Sequence, residues 1–421
     1  MKILYLLLDP TRAQGHRRGG YATHVREVIA ALAAAGHAVE VLDSRAAAGK
    51  AAVAAAADAA PVARHAAHGL PPALRAAGRD AAYVAHNWKA ARLVGERLGR
   101  GGIDLVYERF HHLQWAGMAA ARRHGIPAIL EFNAGVNEAA AFHGAGLAWL
   151  ARRIEDRTLK AADRVITVSG VLRREVVGRG VAPERVVAMH NGVSTAHFHP
   201  RINGRAFREH HAIGVERVVV GFVGTFAPWH GVELLIEAAL DLIPRAPALT
   251  FLIVGGRAAD ERFQAAAARV EGARAADRIR LIGEIPFAEV PFAMAAMDIA
   301  TIPWATDYGS PMKIFEYMAM GKALVAPDLE VLREVFRPGE NALLVARGDA
   351  GALAGAIARL AADSALRGRL GAAARADAVE HHDWRHHAAL IAELAQAARA
   401  ERNAGRGPAP RARAAAPAAR S

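Results

Sequence analysis

Residues 218–236 read VVVGFVGTFAPWHGVELLI, and this stretch decides the fold class. The apolar run 218–223 has the length of a buried strand, and Val232, Leu234, Leu235 and Ile236 open a helical pattern after the turn. A strand that feeds a glycine-rich turn into a helix is the repeating unit of a parallel α/β sheet. Outward from it, runs at 250–254, 279–282, 299–302 and 323–326, with 343–345 as an edge, continue the alternation. An earlier series lies at 3–8, 39–42, 105–107, 128–132, 165–168 and 186–189. Between the two, 190–215 carries Asn191-Gly192, Pro200 and Asn203-Gly204, turn chemistry that interrupts the pattern. Two doubly wound parallel-sheet lobes are expected, 1–195 and 200–378. An amphipathic helix at about 380–400 has no place fixed by its own pattern. The 401–421 tail of Arg, Ala, Pro and Gly reads as disordered.

The length of 421 residues exceeds what one core holds, which agrees with two lobes and allows a cleft. Hydrophobic residues make up 53%, excluding a disordered chain, although much of that share is alanine. With no cysteine there is neither a disulfide scaffold nor a thiolate site, and the cytosol is the expected compartment. The run 3–8 is too short for a signal sequence, and no apolar stretch is long enough for a spanning helix. The net charge of +12 is uneven. Residues 1–200 carry 26 Lys and Arg against 16 Asp and Glu, whereas 201–400 carry 22 against 24. The first lobe is therefore expected to face something anionic: phosphate, lipid headgroup or nucleic acid.

Ligands of open α/β sheets bind beyond the carboxyl ends of the strands, so the loops after the runs are the places to look. After 3–8, Gly19-Gly20 open a helix carrying His24, where bare amides and the helix dipole suit an anion; a plain tight turn fits about as well. After 218–223, the loop Gly224 to Gly231 offers Thr225, Trp229 and His230 as donors, without the spacing of a dinucleotide fingerprint or a P-loop. After 299–302 comes PWATDYGSPMKIFEYMAMG, 303–321. Ser310 reads as an N-cap, Pro311 as the first helical residue and Gly321 as the end, about three turns later. Lys313 in the first turn opposes the helix dipole unless an anion sits there, and Glu316 shares its face and suits ribose hydroxyls. A surface Lys–Glu pair is the bland alternative. After 128–132 stand Glu131, Asn133, Asn137 and Glu138, polar groups at a strand end where a carboxylate would serve as a base or hold hydroxyls.

Other attractions fail. His381, His382, His386 and His387 lack a carboxylate pattern, so no metal is expected. The paired arginines of the first lobe lack interleaved aromatics, which makes nucleic acid a poor fit. The alanine-rich 46–68 receives no function.

These residues resemble the family 4 retaining glycosyltransferases of the GT-B fold, two facing Rossmann-like domains. The resemblance covers about 1–395. It rests on Gly19-Gly20 with His24, on the 188–193 stretch AMHNGV with Phe198 and Pro200, on the Gly224 to Gly231 loop, on Val254-Gly255-Gly256, and most specifically on 311–321. It implies a nucleotide-diphosphate sugar as donor substrate, held by the second lobe, no cofactor, and a dispensable metal. Gly224, Thr225, Trp229, His230, Gly255 and Lys313 would hold the diphosphate, Glu316 the ribose, and the backbone near Glu284 and Ile285 the base. The sugar would fall to the amides of Gly309, Ser310, Pro311 and Met312 or to Asp307, because Tyr308 stands where the family has its first glutamate. Lys313, Glu316 and Asn133 would be the catalytic set. The acceptor side would include Gly19, Gly20, His24, Arg109, Glu131, Asn133 and Asn191. The C-terminal helix would return to the first lobe. Where the family has Arg and Lys in the diphosphate loop, this chain has Thr225 and His230, so phosphate binding is expected to be pH-sensitive. A histidine frequent after the fourth strand is replaced by Asn133.

The expected function is transfer of a hexose-type sugar to a glycan or lipid-linked saccharide, with peripheral contact at an anionic membrane face. The alternatives are a catalytically silent nucleotide-sugar-binding protein, an epimerase or phosphorylase of the same architecture, and, from charge alone, a nucleic-acid-binding protein.

Overall fold

The computed structural model describes residues 1–9, 20–44, 72–136 and 147–405. The chain forms two compact units, Met1–Met189 with Arg385–Ser421, and His190–Trp384. In the first, β1 (Lys2–Leu7), β2 (Ala38–Asp43), β3 (Leu105–Arg109), β4 (Ala128–Phe132), β5 (Arg164–Thr167) and β6 (Val186–Ala188) form one sheet in the order β2-β1-β3-β4-β5-β6. In the second, β7 (Val218–Val223), β8 (Leu249–Val254), β9 (Ile279–Ile282), β10 (Ile299–Thr301), β11 (Ala323–Pro327) and β12 (Leu343–Val345) form another, ordered β12-β11-β10-β7-β8-β9. All pairs are parallel. Every apolar run of the sequence is a strand, and 343–345 is the edge. Helices on the faces explain why these strands are apolar throughout: all five residues of β4 and all six of β8 are buried.

The order reverses between β1 and β3 in one sheet and between β7 and β10 in the other, which opens a crevice beyond the strand ends at each switch point. The loop after β7 and the loop after β10 flank the second crevice. The helix Met312–Ala319 leaves it by burying Ile314, Phe315, Tyr317 and Met318. Gly321, at φ +66°, ends the helix in a conformation costly for other residues.

The division of the chain differs from the expected one. It changes unit between Met189 and His190 and again between Trp384 and Arg385. His190 and Asn191 already bond inside the second unit, His190 to Glu334 at 3.0 Å and Asn191 to Ser310. Val193 N–H donates to His382 O at 2.8 Å, and Trp384 N–H returns to Val193 O at 3.2 Å. The tail begins later than 401, because the helix Trp384–Asn403 continues through that point. Arg402 grips buried Asp163 at 2.7 and 2.8 Å, and Arg164 pairs with Glu401, both within the first unit. Residues 406–421, 46–68, Gly19, Asn137 and Glu138 lie outside the described residues.

Candidate functional site

At the second crevice four loops meet at close approaches for which three glycines leave room. Gly255, at φ +109°, lies so near the turn after β7 that a Cβ on it would stand 2.3 Å from Gly224 O. A Cβ on Gly224 would stand 2.4 Å from Lys313 Nζ, and one on Gly231 would stand 2.6 Å from Trp304 Cβ. The β9 end joins them through Gly255 N–H, which donates to Ile282 O at 2.9 Å. Thus Gly224 to Gly231, Gly255, the 284–285 turn and 304–313 share one end of one sheet. Glu284 is exposed there and Ile285 half-buried.

The central group is Lys313. Its stem is part-exposed, but Nζ is buried, sits 4.2 Å from the centre of the Phe222 ring, and has no hydrogen-bond partner among the described residues. Burial brings its pKa down to about 7, while Glu316 one turn along pulls it upward. A buried amine with three unused donors at a helix opening is poised for an anion. The bland Lys–Glu surface pair is absent at this nitrogen. Tyr317, on the same helix, accepts a bond at its hydroxyl from Val223 N–H at 2.7 Å and so fixes the loop entry.

His230 does not share the cationic role. Its Nδ1–H donates to Thr225 O at 2.6 Å, and burial followed by the nearby Lys313 brings its pKa down to about 3. The ring is neutral at ordinary pH, so pH sensitivity passes from His230 to Lys313. Thr225 and Trp229 are exposed at the front of the loop. Asp307 is engaged by Arg347 at 2.5 Å, and the Arg347 guanidinium lies over Trp304.

Ser310 is not the N-cap. Pro311 occupies that position, with β-region angles of −66° and 122°, and the helix runs Met312–Ala319, nearer two turns than three. Ser310 instead accepts Asn191 N–H at its Oγ, 2.9 Å, while its carbonyl accepts Asn191 Nδ2–H. The hydroxyl proton stays available to a ligand. Gly309 N–H is taken by Thr306 Oγ1 at 3.1 Å, which leaves the opening amides of Met312 and Lys313, without intrahelical acceptors, to face an anion. Asn191 therefore belongs with the second-unit site, a correction to its expected acceptor-side place. Asn191→Ala should weaken nucleoside-diphosphate binding by about 1–2 kcal/mol, the worth of one buried hydrogen bond. Calorimetric titration reads the loss; unchanged affinity would show that the tie of the Asn191 amide to the Ser310 carbonyl does not shape the site.

In the first unit the carboxyl ends of β1, β3 and β4 gather a second polar cluster around Glu131. His24 Nε2–H meets Oε1 at 3.0 Å, Tyr107 Oη–H donates to Oε2 at 2.5 Å, Asn133 Nδ2–H donates to Oε1 at 2.9 Å, and Arg109 Nε stands 3.7 Å away. Burial would raise this carboxyl, but His24, Arg109 and Tyr107 hold it well below the usual carboxylate range. Burial lowers His24 more than Glu131 raises it, so the imidazole donates as a neutral ring. A carboxylate with its acceptor sites filled by donors is not a base, contrary to one expectation from the sequence. Asn133 is spent on Glu131 rather than presented alone. Arg109 also stacks 4.7 Å from the Tyr21 ring centre, and Gly20 opens the adjoining helix in an exposed position. Tyr5 and Tyr107, read from the sequence as plain core, stack at 5.2 Å within this cluster. The signal was two tyrosines inside buried strands, since a buried hydroxyl calls for a partner.

Residues 217–363 match the family model described as Glycosyl transferases group 1, and residues 18–197 match Glycosyltransferase Family 4. A D-inositol 3-phosphate glycosyltransferase of Acidothermus cellulolyticus is 30% identical over 297 residues, 67% of this chain and 64% of that protein, so less than two thirds of that relative is spanned. A phosphatidyl-myo-inositol mannosyltransferase of Mycolicibacterium smegmatis is 26% identical over 385 residues, 87% of each chain. Among solved structures, a sucrose-phosphate synthase from Thermosynechococcus elongatus superposes with TM-score 0.70 at 20% identity, over 95% of this chain and 99% of that one. A glycosyltransferase from Rickettsia africae gives 0.70 at 15% identity, over 94% and 98%. At these identities the likeness is one of fold.

Proposed function

Because this chain belongs to glycosyltransferase family 4 and has its GT-B fold, we propose that it transfers a sugar, with retention, from a nucleotide-diphosphate donor to a glycan or lipid-linked acceptor. The observation that carries this reading is the buried, unpartnered Lys313 amine beneath Gly224 at a helix opening. A diphosphate there would meet the ammonium, the Met312 and Lys313 amides and the Ser310 hydroxyl. As the sugar leaves, charge grows on the diphosphate, and fixed donors in a dry site stabilise it. That set supplies the charge without a metal ion, so activity should survive a chelator.

Glu316 would accept ribose hydroxyls, and the 284–285 turn would border the base. Beside Glu131, the part-exposed Arg109 and Asn133 would hold acceptor hydroxyls. A thermal-shift panel of nucleotide sugars is the direct test: a true donor at 100 times its dissociation constant raises stability by about 2.7 kcal/mol. Glu316→Ala should remove about 1.5–3 kcal/mol of donor binding. If no nucleotide sugar shifts the transition, or the variant binds as well as the parent, the donor assignment is wrong.

A further inference from the structure

The helix Ala148–Ala161 sorts its charges by face. Apart from Ala148, every exposed residue on it is Trp149, Arg152, Arg153, Arg157 or Lys160, spaced so that all five share one side. Of its two acids only Glu155 is turned away from that side; Asp156 shares it. Glu155 is 1% exposed and Asp156 half-buried, and both are held by Arg179, Asp156 at 2.6 Å. A helix with six charged side chains thus presents four cations and one half-buried acid that Arg179 already holds, led by a tryptophan that is 70% exposed.

A neighbouring helix has a related face. Pro72–Gly99 meets the first helix where Leu147 N–H donates to Asp80 Oδ2 at 2.9 Å, and Tyr83 and Val84 share one apolar cluster with Leu150 and Ile154. On its outer side Leu74 and Trp88 are 58% and 69% exposed, with Ala81 and Ala85 on the stripe between them and Lys89 beside Trp88. Large apolar side chains left in water by a folded unit mark an interaction surface. Tryptophan beside arginine and lysine suits the boundary between acyl chains and anionic headgroups, where the indole is half-buried and the cations meet lipid charge.

We propose that the exposed face of the helix Ala148–Ala161, with the Leu74 to Trp88 stripe beside it, docks the first unit onto an anionic lipid bilayer. Charge complementarity selects this occupant, and the tryptophans distinguish it from a purely polyanionic partner. The proposal stands apart from glycosyl transfer, since the face binds lipid or fails to whatever the donor is.

The test is sedimentation of the full chain with phosphatidylcholine vesicles, with and without phosphatidylglycerol, at low salt. The parent should partition onto the anionic vesicles only, and added salt should weaken it. The triple reversal Arg153→Glu, Arg157→Glu, Lys160→Glu should lower partitioning by about a hundredfold. Trp149→Ala should lower it by about tenfold. Trp149→Phe should reduce the blue shift of tryptophan emission on vesicle addition. Far-UV circular dichroism and thermal unfolding should be unchanged in all three, which separates loss of docking from loss of fold. Absence of parent binding to anionic vesicles, or undiminished binding by the triple reversal, would overturn the proposal. So would equal binding of parent and Trp149→Ala together with tighter binding to duplex DNA.

Discussion

Lys313→Met is expected to lower kcat by about 10²–10³-fold, the usual consequence of deleting one donor from a preorganised anion site. It is also expected to abolish a pH dependence that the parent shows. In the unliganded parent the amine titrates near 7, against 10.5 for a free lysine. Between those values the unfolded chain holds the additional proton, so parent stability rises with pH across the window. Methionine removes that rise and stabilises the unliganded protein below it. A bound diphosphate reverses the preference and recharges the amine. Nucleoside-diphosphate binding above pH 7 should therefore take up a proton, and affinity should fall as pH rises. Calorimetry in buffers of different ionisation enthalpy reads the proton directly. A parent that binds diphosphate without proton uptake at about pH 8 would place the phosphate away from this nitrogen.

Glu131→Ala should destabilise the first unit by about 3–5 kcal/mol, the cost of stranding a buried cation and its neutral partners. Four side chains from a helix, a strand and the loop after β4 converge on that one carboxylate. Glu131→Gln should lose less, since its amide oxygen still accepts one donor. The carboxylate also predicts acid behaviour. Its folded pKa is depressed, so its contribution is present above the ordinary value near 4.5 and is lost as pH falls toward the folded one. Denaturant unfolding, followed at neutral pH and in acid, measures both effects. A loss below about 1 kcal/mol for the alanine variant would show that the cluster is held by packing alone.

Most of the fold was legible because buried parallel strands are short apolar runs punctuated by turn residues, and local pattern suffices to find them. The loops that make the second crevice were legible for the same reason: each follows a strand end. What local pattern conceals is who meets whom. Nothing near Lys313 in the chain announces that its amine lies against Gly224 and Phe222, about ninety residues away. Ser310 has the local context of an N-cap, and a tertiary partner, Asn191, claimed its oxygen instead. Charge alone made Glu131 a candidate base, whereas His24, Tyr107 and Arg109, all distant in the chain, together with Asn133, settled its state. Spacing showed where the tail becomes rich in arginine, yet the buried carboxylate Asp163 carries the helix past that point.

Gly224 has one more property. The residue has no charge, but the space its missing side chain leaves is where the ammonium rests. Alanine there would push the flexible end of Lys313 aside and crowd the Phe222 ring, moving the nitrogen while leaving every lysine in the protein. The electrostatics of the crevice are thus written partly in a vacancy, and a single methyl group is enough to shift them.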